Sequence, residues 1–201
     1  MNAIVSNLFE IVVGSAMLLI FSRFMLEFAG IESNNPFAKV IFKLTRVVDM
    51  FGRLFPTIGQ TTQTNKHLRV VQPGFAINTA ALVIMLLLRL FYLGLMTQLM
   101  GKYYPPLHLF FVGTISLVLD FLMMCQIILF GTFIANLVSM LTQSNNPIWA
   151  LITQLSEPIL APFRKILPQT GMFDFAFMFA YMGIYLVQEV VKVVAANLLS
   201  L

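Results

Sequence analysis

The sequence predicts an all-α membrane protein in which about four transmembrane helices form two tandem helical hairpins. Three observations lead to this fold class: the composition, four long apolar segments and a repeated Asn-Pro motif. Of the 201 residues, 59% are apolar and 10% are charged, whereas a soluble globular chain has about 25% charged residues. So little polar material cannot cover a surface exposed to water, which excludes a soluble globular domain and a disordered chain.

Four segments reach the length of about 20 mostly apolar residues that a bilayer-spanning helix needs. They are residues 5–28, 75–99, 107–141 and 172–195. The third segment has no central proline or glycine turn, so we expect one long or tilted helix with a protruding end. The first is preceded by no Lys or Arg and followed by no small-residue cleavage site, so we expect it to remain as a membrane anchor.

The distribution of Lys and Arg orients these spans, because the cytoplasmic loops of membrane proteins carry the excess of basic residues. Residues 30–74 hold six basic side chains and residues 142–171 hold two, whereas the short connection 100–106 holds one. Both long connections are therefore predicted to face the cytoplasm, and both termini are predicted to face the outside.

The two halves of the chain resemble each other. Asn34-Asn35-Pro36 recurs as Asn145-Asn146-Pro147, an offset of 111 residues from Asn35 to Asn146, and Thr45 aligns with Ser156 at the same offset. This internal repeat predicts two units related by parallel pseudo-symmetry about an axis along the membrane normal.

We place the first repeat at residues 1–106 and the second at residues 107–201. Each repeat consists of a span, an amphipathic or re-entrant helical segment on the cytoplasmic side, and a second span. We call these segments the first elbow, residues 36–56, and the second elbow, residues 146–168.

The first elbow is predicted to be an amphipathic helix with a basic stripe. Asn35 can cap it, and Pro36 suits the first helical position, where no N–H is needed. A basic stripe on a largely apolar helix favours the headgroup layer, where Lys and Arg bind anionic lipid, and the alternative is that the helix only packs against the spans. The polar residues of this segment follow one another at spacings of four, three, three and four, which puts them on one stripe of a helix. They are Lys39, Lys43, Arg46, Asp49 and Arg53.

The second elbow starts in the same way at Asn146-Pro147 but is interrupted by two prolines, Pro158 and Pro162. Because Ser156 can cap a new helix at Pro158, we expect two short helices here with a bend near Glu157.

Motif residues at fixed spacing cover the second half and, in part, the first. The second half shows Asn146-Pro147, Ser156-Glu157-Pro158, Pro162-Phe163-Arg164-Lys165, Pro168 and Gly171-Met-Phe-Asp174. The first half keeps Asn35-Pro36, Thr45, Arg53 and Pro56, but lacks the Glu-Pro step and the Gly-x-x-Asp step. This pattern resembles that of the YggT family, also called YlmG.

The resemblance implies a multi-pass protein of the bacterial inner membrane, so that the outward termini would lie in the periplasm. It also implies a link with osmotic stress and ion homeostasis. Relatives elsewhere in the family are linked with cell-division gene clusters, chloroplast cytochrome maturation and nucleoid distribution.

Charges inside a bilayer are costly and mark candidate functional sites, and three of those in the predicted spans stand out: Glu10, Arg89 and Asp120. Antiparallel spans place all three in the outer half of the membrane. Other charges near the span ends, Arg23 with Glu27 and Glu189 with Lys192, have the spacing of local helical pairs. We predict that Arg89 pairs with Glu10 or Asp120 inside the bundle and forms a polar site on the pseudo-symmetry axis. The alternative is a buried ion pair that only fixes helix docking.

The sequence shows no catalytic set, phosphate-binding loop or metal-binding motif, and it holds one cysteine and two separate histidines. We therefore expect no enzymatic activity, no cofactor, no metal and no nucleic acid partner. Two function classes remain. One is a channel-like or transport-associated protein, and the other is a membrane organiser or assembly factor that recruits anionic lipid or a membrane-protein partner through Lys39, Lys43, Arg46 and Arg53.

Small residues recur every four positions on the third and fourth spans, where they let helix backbones approach closely. They are Gly131, Ala135 and Ser139, and Ala176 and Ala180. These stripes serve either docking within the chain or a homo-oligomer.

Overall fold

A computed structural model describes residues 2–31, 36–55, 57–58, 77–101, 103–142, 147–166 and 175–199. Within these residues the chain is all-helical. Its seven helices are α1 (Asn2–Phe28), α2 (Pro36–Leu44), α3 (Val47–Gly52), α4 (Thr79–Leu99), α5 (Pro106–Thr142), α6 (Pro147–Ile166) and α7 (Phe175–Leu199). Helices α1, α4, α5 and α7 are long and apolar enough to cross a membrane, which confirms the four predicted spans.

Helix α5 is a single helix of 37 residues. At about 1.5 Å per residue it is roughly 55 Å long, and the hydrocarbon core of a bilayer is about 30 Å thick. This length confirms that the third apolar segment forms one long helix; a tilt or a protruding end, either of which would accommodate it, stays a prediction.

The four long helices pack in chain order, α1 on α4, α4 on α5 and α5 on α7. Phe21 and Met25 of α1 are buried in the main core together with Met85 of α4. Helices α4 and α5 approach closely at Gly113, where a Cβ atom would lie 2.5 Å from Leu90 Cδ2. A Cβ atom at this position would therefore force the Leu90 side chain to move, so glycine favours the close approach of the two helices.

The first elbow is not one helix, and the expectation of a continuous helix over residues 36–56 is wrong. It divides at Thr45 and Arg46 into α2 and α3. The Thr45 carbonyl oxygen accepts a hydrogen bond from Nη1 of Arg23 at 2.8 Å, and the same carbonyl is bonded by the N–H of Val48, only three residues on. Because a side chain of α1 binds this carbonyl, the backbone tightens there and the α-helical ladder is interrupted.

The second elbow is one continuous helix, α6, so the expected division into two short helices is also wrong. Pro158 and Pro162 each remove a backbone hydrogen bond, but tertiary contacts keep the segment helical. Leu155 and Leu160 are buried in the core clusters, and α6 packs on both α5 and α7. The apolar face thus outweighs the two missing backbone bonds.

The two ends of the connection between α3 and α4 lie side by side. Ile58 and Ile77 exchange two backbone hydrogen bonds of 3.0 and 2.8 Å, and α3 packs against α4. The start of α4 therefore lies beside the first elbow. The repeat boundary between residues 106 and 107 and the cytoplasmic placement of both elbows stay predictions.

Candidate functional site

The three ionisable residues that the sequence singles out inside the spans line one cavity. Glu10 of α1, Arg89 of α4 and Asp120 of α5 surround a volume of about 270 Å³. Nε of Arg89 lies 3.2 Å from Oδ2 of Asp120. Of the two pairings left open by the sequence, the structure forms the one with Asp120. Glu10 lines the same cavity and forms no ion pair with any residue that the structure describes.

The contact between Arg89 and Asp120 is an ion pair without a hydrogen bond. Both Nε of Arg89 and Oδ2 of Asp120 are shielded from solvent, and within the described ranges neither atom has a hydrogen-bond partner. The two side chains as a whole remain 22% and 26% exposed. Polar atoms left unbonded in apolar surroundings are costly, so the pair leaves one donor and one acceptor for a small polar guest.

Aromatic rings fix the orientation of Arg89. Its guanidinium lies over the ring of Tyr92, one turn further along α4, at 5.4 Å from the ring centroid. Phe9 of α1 stacks on Tyr92, with ring centroids 6.0 Å apart and an interplanar angle of 10°. A cation over an aromatic face is attracted by the ring quadrupole, so Tyr92 holds the arginine toward the cavity. Sequence reasoning missed Tyr92, although its spacing of three residues from Arg89 is a usable signal.

A second polar cluster lies at the other end of α1 and is centred on Arg23, whose side chain is 6% exposed. Nε of Arg23 donates to Glu27 at 2.9 Å, Nη1 donates to the Thr45 carbonyl at 2.8 Å, and Nη2 donates to Asp49. The guanidinium also lies 5.2 Å from the ring centroid of Phe42. The sequence predicts only the pair with Glu27, since nothing in the spacing points from Arg23 to residues 22 and 26 positions away.

Asn78 extends this cluster to α4. Its Nδ2 donates to the second carboxylate oxygen of Glu27 at 2.5 Å, and its Oδ1 accepts from the backbone N–H of Ala81 at 3.0 Å, which caps α4. An Asn before an apolar run is a recognisable N-cap signal, but its bond to Glu27 is visible only in the structure. We call Arg23, Glu27, Thr45, Asp49 and Asn78 the Arg23 cluster; it joins α1, the first elbow and α4.

The first elbow has three faces. One face packs on the bundle through buried residues such as Ala38 and Val48. A second face is apolar but exposed, including Val40, Leu44 and Val47. The third carries the basic residues Lys39, Lys43, Arg46 and Arg53, all of which are exposed. Apolar and basic faces side by side are typical of a helix that lies in the membrane interface.

A larger cavity of about 470 Å³ lies among α5, α6 and α7, and its lining includes Thr132, Phe133 and Leu160. All of its described lining residues are uncharged. Across the part of the chain that the structure describes, no three His, Cys, Asp or Glu side chains come together as metal ligands. Of these two cavities, only the smaller one, with Glu10, Arg89 and Asp120, is lined by charged side chains.

Comparison with known proteins places the chain among bacterial membrane proteins. Residues 108–195 match the family described as CCB3/YggT. Over 185 residues the chain is 24% identical to an "Uncharacterized protein in proC 3'region" of Vibrio alginolyticus, which covers 92% of this chain and 89% of that protein. An uncharacterized protein of Pseudomonas aeruginosa is 28% identical over 179 residues, with 87% and 81% covered. The second half of the chain, residues 108–195, belongs to the CCB3/YggT family.

A third relative, an uncharacterized protein of Haemophilus influenzae, is 29% identical over 164 residues, which are 79% of this chain and 75% of that protein. No solved structure matches the chain. With its four spans, this YggT-family chain is a multi-pass membrane protein with bacterial homologues. The family match begins in α5 and ends in α7, so it contains Asp120 and the whole of α6.

Two motif residues of the YggT-family segment form an ion pair on α6. Nη1 of Arg164 donates to Oε2 of Glu157 at 2.5 Å, seven residues apart, across the stretch that contains Pro158 and Pro162. The pair bridges the two helical turns in which Pro158 and Pro162 each remove one backbone hydrogen bond. In the first half the aligned residues are Arg46 and Arg53, two cations that cannot form this bond.

Some of the remaining motif residues begin helices or are buried, and others lie outside the described residues. Pro36 and Pro147 begin α2 and α6, and Thr45 and Ser156, which align in the two halves, are both buried. The motif residues that lie outside the described residues are Asn35, Pro56, Asn146, Pro168, Gly171 and Asp174.

The small-residue stripes of the YggT-family protein are used within the chain. Ala135, Ala176 and Ala180 are buried, and a Cβ on Gly131 would lie 3.5 Å from the side chain of Ile152. Helix α5 therefore docks against α6 and α7 through these residues.

Proposed function

We propose that this YggT-family protein takes part in ion movement across the bacterial inner membrane, as a channel-like or transport-associated protein that serves osmotic or ion balance. The observation that carries the proposal is the cavity in which Arg89 lies 3.2 Å from Asp120 and which Glu10 also lines. Ionisable groups inside a membrane are rare, and those that face an interior cavity mark ion and proton pathways.

The composition of the cavity favours a cation as the transported species. When all three groups are ionised, two carboxylates face one guanidinium, which leaves one excess negative charge. Oδ2 of Asp120, which has no hydrogen-bond partner among the described residues, and the carboxylate of Glu10, which pairs with no charged group in the described part of the chain, are oxygen ligands, which suit hard cations. An ion pair that only fixes helix docking needs neither a third charge nor a cavity.

The proposal includes self-association, because four spans seldom enclose a pore on their own. The buried small-residue stripes are occupied by docking within the chain, so an oligomer would use other faces. Helix α7 offers such a face, because only 6% of the residues in its most apolar stretch are buried.

Purified protein in liposomes tests the ion-movement proposal. Entrapped indicators for K⁺, Na⁺, H⁺ and Cl⁻ report flux down an imposed gradient. We expect cation flux that Arg89→Gln and Asp120→Asn abolish. The matched control is Glu189→Gln, because Glu189 is also a carboxylate in a span but is paired with Lys192 at 2.7 Å. Flux equal to that of empty liposomes, from protein that is folded, contradicts the proposal.

A second candidate function is that of a membrane organiser, and the exposed basic and apolar faces of the first elbow favour it. We propose that its basic face binds anionic headgroups or a membrane-protein partner. Native mass spectrometry after extraction into detergent counts retained phosphatidylglycerol. We expect less of it after Lys39, Lys43, Arg46 and Arg53 are replaced by Gln. An equal loss from a control with four other neutralised cations, Lys66, Lys102, Lys192 and Arg69, contradicts a specific role of the elbow.

A further inference from the structure

The Arg23 cluster and the polar cavity lie on the same two helices. On α1, Arg23 follows Glu10 by thirteen residues, which is about 20 Å along a helix. Arg89 follows Asn78 by eleven residues on α4 and its cap, which is about 17 Å. Because a helix moves as a stiff rod over such lengths, the register of α1 against α4 at the cluster also sets their register at the cavity.

Glu27 fixes this register. One oxygen of its carboxylate accepts from Arg23 at 2.9 Å, and the other accepts from Asn78 at 2.5 Å. Asn78 in turn caps α4. The chain of bonds therefore runs from one helix to the first residues of the other without a gap.

The first elbow is bonded into the same chain. Arg23 binds both the Thr45 carbonyl and the carboxylate of Asp49. The Asp49 side chain is 59% exposed and is the acidic member of a stripe of exposed cations. A displacement of the elbow would therefore be transmitted to Arg23 by the bonds with Asp49 and Thr45. From Arg23 it would be transmitted to α4 by the bonds of Glu27.

We propose that Arg23 is a positioning residue that links the first elbow to the polar cavity. The Arg23 cluster sets the register of α1 against α4, and anionic phospholipid bound to the basic face of the elbow changes that register. The regulatory meaning of this link rests on the proposed function of the cavity, but the link itself is a statement about helix positions. Interfaces between packed helices shift in steps of about 1–2 Å, enough to alter a contact of the length seen between Arg89 and Asp120.

Cysteine cross-linking measures the register at the cavity end. The native Cys125 is first replaced by Ser, and cysteines are placed at Phe9 of α1 and Phe91 of α4. Phe9 and Phe91 have ring centroids 6.2 Å apart, so these two positions are close. Bifunctional methanethiosulfonate reagents of increasing length are compared, and the shortest one that joins the two cysteines in the parent protein reports the native register.

We expect Arg23→Gln and Glu27→Gln to lose most of the cross-linked product. The matched control is Arg46→Gln, which neutralises an exposed arginine of the same elbow and should keep the full yield. A monodisperse gel-filtration peak and native helical content establish that each variant is folded. Should Arg23→Gln fail to fold, Glu27→Gln decides the outcome.

The lipid arm uses vesicles of phosphatidylcholine with and without phosphatidylglycerol. The parent protein carries the cysteine pair and Cys125→Ser but no other substitution. Its yield of cross-linked product should change when phosphatidylglycerol is present. Asp49→Asn should keep the parental yield in phosphatidylcholine, because the bonds among Arg23, Glu27 and Asn78 remain. It should weaken the response to phosphatidylglycerol, because only the Thr45 carbonyl then joins the elbow to Arg23 at full strength.

Two results overturn the inference: parental cross-linking in folded Arg23→Gln and Glu27→Gln, or a parent that does not respond to phosphatidylglycerol. A response to phosphatidylglycerol that Asp49→Asn leaves intact also overturns the link through the elbow. Because the readout involves no ion flux, a protein that conducts no ion would overturn the proposed function alone.

Discussion

Arg23 and Asn78 bind opposite oxygens of a single carboxylate, that of Glu27. The arginine lies near the end of α1, and the asparagine precedes the first residue of α4. One side chain thus closes the hairpin formed by the first two spans, and the guanidinium extends the closure to the first elbow.

Arg23→Lys should lower the free energy of unfolding by about 1–3 kcal/mol, because an ammonium cannot reproduce the planar fork that serves Glu27, Thr45 and Asp49 together. Equilibrium unfolding in mixed micelles measures the change, with a thiol-reactive dye on the buried Cys125 as the probe. Arg46→Lys is the control and should be neutral. Equal stability of the two variants would show that the cluster does not hold the hairpin.

Much of the fold follows from the sequence because spans are set by length and composition. Four apolar segments predict α1, α4, α5 and α7, and the absence of a central breaker predicts that α5 is one helix. Burial in lipid leaves the backbone no alternative to a helix. Local signals of this strength need no tertiary information.

The elbows show where such local reasoning fails. The first elbow has an unbroken helical period, yet Arg23 binds its Thr45 carbonyl from 22 positions away and divides it. The second elbow contains two prolines, yet its packing on α5 and α7 keeps it helical. In both cases a tertiary contact overrides the local preference, and a single sequence does not encode that contact in its spacing.

The candidate site was partly predictable for a related reason. Depth in the membrane follows from counting residues along a helix, so Glu10, Arg89 and Asp120 could be placed at one level. The choice of Asp120 over Glu10 as the partner of Arg89 depends on how α4 and α5 rotate about their axes. That rotation is set by close packing at Gly113, which counting residues does not reveal.

Asp120→Asn should lower the free energy of unfolding by about 2 kcal/mol, because it leaves the charge of Arg89 without its partner inside the bundle. The double variant Arg89→Met with Asp120→Leu should regain most of that loss, since apolar residues of similar size replace a costly pair. The same Cys125 assay measures both. A double variant less stable than Asp120→Asn would mean that the pair itself stabilises the fold.

The double variant also separates stability from transport. If the cavity moves ions, a folded double variant should conduct none in the liposome assay, although its fold is restored. Parental flux from this protein would assign the pair to helix docking alone.

Gly113→Leu should lower the free energy of unfolding by about 1–3 kcal/mol, the usual range for overpacking a close contact. A Cβ at this position would lie 2.5 Å from the side chain of Leu90, so the longer side chain must either displace Leu90 from its position or separate α4 from α5. Gly94→Leu is the control, because a Cβ there meets nothing within 4 Å and leucine favours the helix. Equal losses at both glycines would contradict the close approach.

Both termini should label from outside the cell, and the first elbow only from inside, because the basic residues concentrate in the connections that contain the elbows. Single cysteines at Asn2, Lys39 and Ser200 in the Cys125→Ser background provide the sites. A membrane-impermeant maleimide applied to intact spheroplasts should label Asn2→Cys and Ser200→Cys, and Lys39→Cys should react only after the membrane is permeabilised. Labelling of Lys39→Cys in intact spheroplasts would invert the topology and move the elbows to the outer face, away from the cytoplasmic leaflet.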